Sequence, residues 1–297
     1  MTPADFEESE YRGPLYNQLE YGNHLVWEPG QVFEKHIGID RASYITHRYF
    51  WELHESNHPM TGVILNSYNW DYIWEKRKKT KILPDFNLNL FLQAKRPHSG
   101  TRPAKKLKDK GIIGDYWKFS VTPHQQIALE KMEQVLHGKA IVCYAAPAFH
   151  TQSDLYSHTR NQTIVQNSTF PPVGALKTHG AWYYENGGVM GVGNPDFVHI
   201  EFDSLQTRIE RLIENAQPIS ESAEQSLSKL ANAIISSVSE VQEPSAVEIW
   251  FQYLLSRIDV LNISDQYNIN DALKHYMQVM TFCTVYHLNW LVIGKGG

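Results

Sequence analysis

The clearest hydrophobic pattern in the chain is Phe86-Asn87-Leu88-Asn89-Leu90-Phe91-Leu92-Gln93-Ala94-Lys95, where polar and apolar residues alternate and then become continuously apolar. Alternation with a period of two predicts a β-strand, and the unbroken apolar centre predicts burial on both faces. Polar side chains return at its far end, and Pro97, which offers no ladder hydrogen bond, stops it. Further on, Thr122-Pro123-His124-Gln125 leads into Ile127, Leu129, Met132, Val135 and Leu136 at helical spacing. Threonine as N-cap, proline in the first turn and glutamine three residues on predict a helix start, and Gly138 predicts its stop. Residues 139–146 then read as a second buried strand. Strand, helix and strand in this order need a crossover, which predicts an α/β core.

The flanks follow other rhythms. Residues 5–25 predict a helix with Leu15, Tyr16 and Leu19 on one face, and Pro29-Gly30 breaks it. Residues 37–45 predict a strand containing Gly38 and Asp40, and 49–74 an aromatic-rich helical or irregular stretch. Residues 150–203, rich in Gly, Pro, Asn and aromatics, predict short strands and loops. Helices follow at 205–216, 223–241, 246–260 and from 269 onward. The chain thus divides near Asp203 into an α/β domain over 1–203 and a helical C-terminal region over 204–297.

Composition changes this picture little. At 297 residues and 42% hydrophobic, one substantial core or one large domain with an appendage is affordable. Cys143 and Cys283 sit in apolar runs and read as buried thiols of a reducing compartment. The acidic start lacks the apolar centre of a signal peptide, and the longest apolar stretch, 282–293, is too short to span a bilayer. These features predict a cytoplasmic protein with no membrane segment.

Charge changes it more. The formal net charge is -5, yet Lys76, Arg77, Lys78, Lys79, Lys81, Lys95, Arg96, Arg102, Lys105, Lys106, Lys108 and Lys110 crowd one segment. Only Glu75, Asp85 and Asp109 oppose them there, and the residues after Val198 are acidic. Such asymmetry predicts one side that faces a polyanion and another that faces solvent.

Hydrolysing a phosphodiester near neutral pH needs carboxylates to hold a hard cation, an activated water, and a positive group for the phosphate. In a strand, residues i and i+2 share a face, so Gln93 and Lys95 project together. Glu34-Lys35-His36-Ile37-Gly38-Ile39-Asp40, followed by Phe91-Leu92-Gln93-Ala94-Lys95-Arg96, resembles the Mrr-like branch of the PD-(D/E)XK nucleases. That branch includes restriction and antiphage nucleases. The resemblance covers about residues 20–147 and implies an αβββαβ core, a mixed sheet flanked by helices. It further implies Mg²⁺ or Mn²⁺ held by Asp40 and Gln93, with the Ala94 carbonyl as an additional ligand. Lys95 would orient the attacking water or stabilise the phosphate. Glu34, or else Glu20, would be the helix glutamate that some members use. Asp85, next to Pro84, is the alternative aspartate. Gln93 stands where many relatives carry a carboxylate, and the gap from Asp40 to Gln93 requires an insertion. Lys76, Arg77, Lys78, Lys79, Arg96, Lys105 and Lys106 would contact nucleic acid.

Other features carry less. His150, His158, His179 and His199 match no zinc spacing. His124 opens a helix where a phosphate is welcome but no phosphate is required. Gly187–Pro195 lacks the lysine of a P-loop and reads as a hairpin loop. Trp182-Tyr183-Tyr184 reads as core, with base stacking as the alternative. The expectation is therefore a metal-dependent DNA endonuclease of bacterial restriction or phage defence. Its alternative is a catalytically inactive copy serving as a nucleic-acid-binding or assembly subunit of a defence complex. In either case the C-terminal helices would support a homodimer or a partner subunit.

Overall fold

A computed structural model of the protein describes residues 1–21, 26–27, 86–216, 221–239, 245–261 and 271–293. Met1–Trp27 and Asp85–Gly297 group as one compact unit. That unit is an α/β structure with a mixed sheet.

The alternating stretch forms β3 (Leu88–Ala94), every residue of it buried. Its partners are β6 (Ala140–Pro147), parallel to it, and β11 (Asn289–Ile293), antiparallel to it, so both of its hydrogen-bonding edges are taken. With β2 (Val26–Trp27) and β7 (Ser168–Thr169) the order is β2-β11-β3-β6-β7. The crossover from β3 to β6 carries the expected helix, here α3 (Pro123–Val135). Gly138 sits beyond its end at a φ of 72°, the left-handed region open to glycine.

Helices cover both faces of this sheet. Leu88, Leu90, Leu92 and Ala94 share one core with Cys143 and Leu291. That core also takes in Leu15 of α1 (Glu8–Tyr21), Leu155 of α4 (Gln152–Asn161) and Ile209 of α5 (Leu205–Glu214). The C-terminal helices are α6 (Ala223–Ser239), α7 (Ala246–Leu261) and α8 (Asp271–Val285), and the intervening residues of β3 lie on the other face. There Phe91 stacks on Trp290 at 6.4 Å, and Trp290 meets Tyr276 of α8. A period of two along β3 therefore sorts its side chains into two separate cores.

The C-terminal helices form as their spacing predicts, but the apolar run after them leaves the helix. Tyr286-His287 makes a turn, His287 adopts a φ of 56°, and β11 enters the sheet between β2 and β3. Among the described residues, no helix is long and apolar enough to cross a membrane.

The stretch read as short strands builds a second, antiparallel sheet in the order β1-β4-β5-β8-β9-β10. Its strands are β1 (Thr2–Pro3), β4 (His98–Gly100), β5 (Tyr116–Ser120), β8 (Ala181–Tyr184), β9 (Met190–Asn194) and β10 (Val198–Glu201). The glycine run lies in the β8–β9 hairpin, and its spacing is steric. A Cβ at Gly191 would collide with the Trp182 ring, and one at Gly193 would stand 2.7 Å from the His179 ring. Trp182 is fully buried, so that aromatic run is core, as expected. The outer face of this sheet, Tyr116, Tyr183 and Val192, is roofed by Leu107, Ile112 and Phe197. Leu107 belongs to the short basic helix α2 (Lys105–Lys108).

Candidate functional site

At the carboxyl end of β3 lie Gln93, Lys95 and Arg96, three of the sequence-predicted site residues within the described part of the chain. Pairing with β6 sets Gln93 beside Tyr144 and Ala94 beside Ala145, and the Lys95 N–H donates to the Ala145 carbonyl at 2.9 Å. Gln93 and Lys95 leave the same face of the strand, toward α3 and the α8–β11 turn.

Gln93 is 1% exposed. Its Nε2 donates to the Tyr286 carbonyl at 2.9 Å, while its Oε1 is buried with no hydrogen-bond partner. A buried acceptor without a partner costs about 1–3 kcal/mol, so it is kept only where something repays or uses it. Lys95 is 9% exposed. Its Nζ lies 3.4 Å from Gln125 Oε1 and 5.5 Å from the centre of the Tyr144 ring. Among the described residues, no carboxylate stands within ion-pair distance of it. Burial pulls the Lys95 ammonium below the usual lysine range, and the charge of Glu8 partly restores it.

Gln125 thus differs from its sequence reading. Thr122 occupies the N-cap of α3 without a side-chain cap bond, and the glutamine expected to complete a capping box reaches Lys95 instead. Beside it Gln126 accepts from the Tyr144 hydroxyl at 2.5 Å and donates to the Val173 carbonyl, which fixes the ring under Lys95.

Arg96 turns to the opposite side. Its Nε donates to the Ala4 carbonyl at 3.0 Å, its Nη1 pairs with Glu7 at 2.7 Å, and its backbone N–H donates to Glu8 Oε1 at 3.1 Å. Its charge is already engaged by the amino-terminal arm. On this side lies a cleft of about 350 Å³, lined by Glu7, Glu8, Arg12, Arg96 and His287 among others. It opens at the carboxyl end of a parallel strand pair, where open α/β sheets place ligands. The sealed Gln93–Lys95 pair and the open acidic-basic cleft are therefore back to back across one strand end.

Lys105 and Lys106 stand exposed on α2, with Lys106 Nζ 5.4 Å from the Phe197 ring centre. Glu34, Asp40, Lys76, Arg77, Lys78, Lys79 and Asp85 lie outside the described residues. Among the described residues, no group of three or more His, Cys, Asp and Glu side chains could hold a metal. Of the histidines, His158 lies 4.7 Å from Phe149 ring to ring and contacts the Thr163 hydroxyl. For a hard cation, the orphaned Gln93 oxygen fits as one neutral ligand.

Sequence reasoning missed Glu8, Gln125, Tyr144 and Tyr286. Tyr144 had a signal, a phenol in the middle of an otherwise small and aliphatic strand. The Tyr286 contribution is a backbone carbonyl, which no residue type announces. No family model, curated protein or solved structure matches the chain.

Proposed function

We propose that this chain is a metal-dependent DNA endonuclease, with β3, α3 and β6 as the second half of an αβββαβ nuclease core. The observation that carries the reading is the carboxyl end of β3. Among the described residues, one face there holds a buried amide oxygen without a hydrogen-bond partner and, two residues on, a buried ammonium with no carboxylate at ion-pair distance. Each lacks what a metal-bound phosphate brings: a cation for the oxygen and an oxyanion for the lysine. Asp40, with Asp85 as the alternative, and Gln93 would hold Mg²⁺ or Mn²⁺, and Glu34 would contribute as the helix glutamate. When bound, such an ion would supply polarisation of the phosphoryl group. Lys95 offsets charge on the phosphate, and Gln125 and the Tyr144 ring keep its ammonium at the strand end. The test is plasmid cleavage with Mg²⁺ or Mn²⁺ by the parent, Lys95→Ala and Asp40→Ala. Cleavage by the parent and its loss in both variants is expected. Variants that cut as well as the parent would refute the site.

One observation favours a second reading, a nuclease-fold subunit that binds nucleic acid or a defence-complex partner without cutting. Gln93 is held behind the α8–β11 turn by the Tyr286 carbonyl, and so is screened from solvent. This reading expects no cleavage with either metal, and salt-sensitive duplex binding that survives Asp40→Ala and weakens when Lys76 to Lys81 are neutralised.

A further inference from the structure

The basic segment after β4 contains a built anion seat. The backbone N–H groups of Ile113 and Gly114 converge on a single oxygen, Glu185 Oε1, at 2.5 and 2.6 Å. Successive N–H groups aimed at one point form a concavity that suits a phosphate oxygen as well as a carboxylate. The seat is at the surface: Ile113 is 74% exposed. Arg102, Lys105, Lys106, Lys108 and Lys110 all precede it within a dozen positions, and among the described residues none of the five is ion-paired. Asp109 and Asp115 are the acids of the same loop. Glu185 follows β8 on another part of the chain, so it can leave the seat by a side-chain rotation into water.

We propose that the Ile113–Gly114 seat binds a phosphate of a nucleic-acid backbone, and that Glu185 occupies the seat until that phosphate displaces it. The inference rests on the nucleic-acid reading above and gives it a contact outside the β3 end. A free phosphate ion would fill the seat but leave the neighbouring cations unmatched. A phosphodiester chain meets the seat and several cations together, and it gains from the counterions each contact releases. In the unbound chain the Glu185 carboxylate shields the two N–H groups and competes with weak anions.

The test follows the Ile113 and Gly114 amide resonances while a short DNA duplex, or in a separate arm inorganic phosphate, is titrated into the full chain. Duplex affinity is measured in parallel for the parent, Glu185→Gln and Asp115→Asn over a range of salt. Expected are shifts of both amides with duplex at concentrations where phosphate alone gives little. Glu185→Gln should bind about threefold or more tightly, because an amide holds the two N–H groups less firmly than a carboxylate, with a log–log salt slope close to the parent's, since both proteins seat the same phosphate on neutral N–H groups. Asp115→Asn should gain less, because it removes charge without freeing the seat. Duplex binding with both amides unmoved would overturn the seat and leave the nuclease reading standing. Equal gains from Glu185→Gln and Asp115→Asn would reduce the effect to bulk charge and overturn it likewise. Absence of duplex binding by every variant at low salt would overturn both.

Discussion

The two faces of β3 come from seven consecutive residues, yet they treat polarity in opposite ways. One face, Leu88, Leu90, Leu92 and Ala94, is apolar throughout and closes against α1, α4 and α5. The other carries Asn89, Phe91 and Gln93 and continues into Lys95. At its amino end the polar group is fully used: Asn89 Oδ1 accepts from Trp290 Nε1 at 2.8 Å, and Nδ2 donates to the Lys139 carbonyl at 3.3 Å. At its carboxyl end Gln93 uses its nitrogen and leaves its oxygen unmet. Two buried amides four residues apart on one face thus differ in a single respect, whether the site completes them. The completed one is structural. The incomplete one shares its state with other buried polar atoms, Gln278 Oε1 among them, and differs from those in standing two residues from a buried lysine.

That comparison can be broken in several ways. The largest effect belongs to the apolar face. Leu90→Ala, at a position with no exposure, should cost about 2–5 kcal/mol of stability in a denaturant titration. Asn89→Leu should come next at about 1–3 kcal/mol, because it strands the Trp290 N–H, while the Lys139 carbonyl keeps its bond from the residue 89 backbone N–H. Gln93→Leu makes nearly the same chemical change and should stay within about 1 kcal/mol of the parent, since it also removes an unmet acceptor. If Gln93→Leu costs as much as Asn89→Leu, Gln93 is structural and the contrast between the two ends disappears.

Lys95 sharpens the contrast through pH. Its folded-state pKa lies below its unfolded value, so between the two the unfolded chain binds more protons, and the parent gains stability as pH rises through that window. Lys95→Met has no such dependence. It should be the more stable protein at neutral pH, by a margin that closes as pH climbs toward the ordinary lysine range; an unchanging margin would show that the ammonium is solvated. The smallest effect is at the thiols. Burial pushes the Cys143 thiol up to about 11 and raises Cys283 further, so neither should react with an alkylating reagent at neutral pH until the chain unfolds.

Much of the central unit was legible because periodicity reports burial directly. The two-residue period of 86–95, the helical spacing after Thr122 and the apolar run at 139–146 became β3, α3 and β6 in parallel pairing. What could not be read locally was long-range pairing. Asn289–Ile293 continues the apolar composition of α8, so its pattern predicts helix, and only its partner strand, some two hundred positions earlier, makes it β11. The antiparallel sheet was scattered among glycines and loops for the same reason. At the site, the pattern placed Gln93 and Lys95 on one face but gave their neighbours other roles. Gln125 fitted a capping rule that a buried cation overrode. Glu8 looked like one acid in an acidic start, and only the fold brings it to the end of β3.

The most direct test of the account compares supercoiled plasmid cleavage by the parent and by Lys95→Met, each first shown to be folded by its thermal melt. The account predicts that the parent nicks DNA with Mg²⁺ or Mn²⁺ and that Lys95→Met cuts at least about a hundredfold more slowly while melting no earlier. Equal cleavage by the two proteins, or a parent that binds duplex but never cuts it with either metal, would contradict the nuclease assignment of the β3 end.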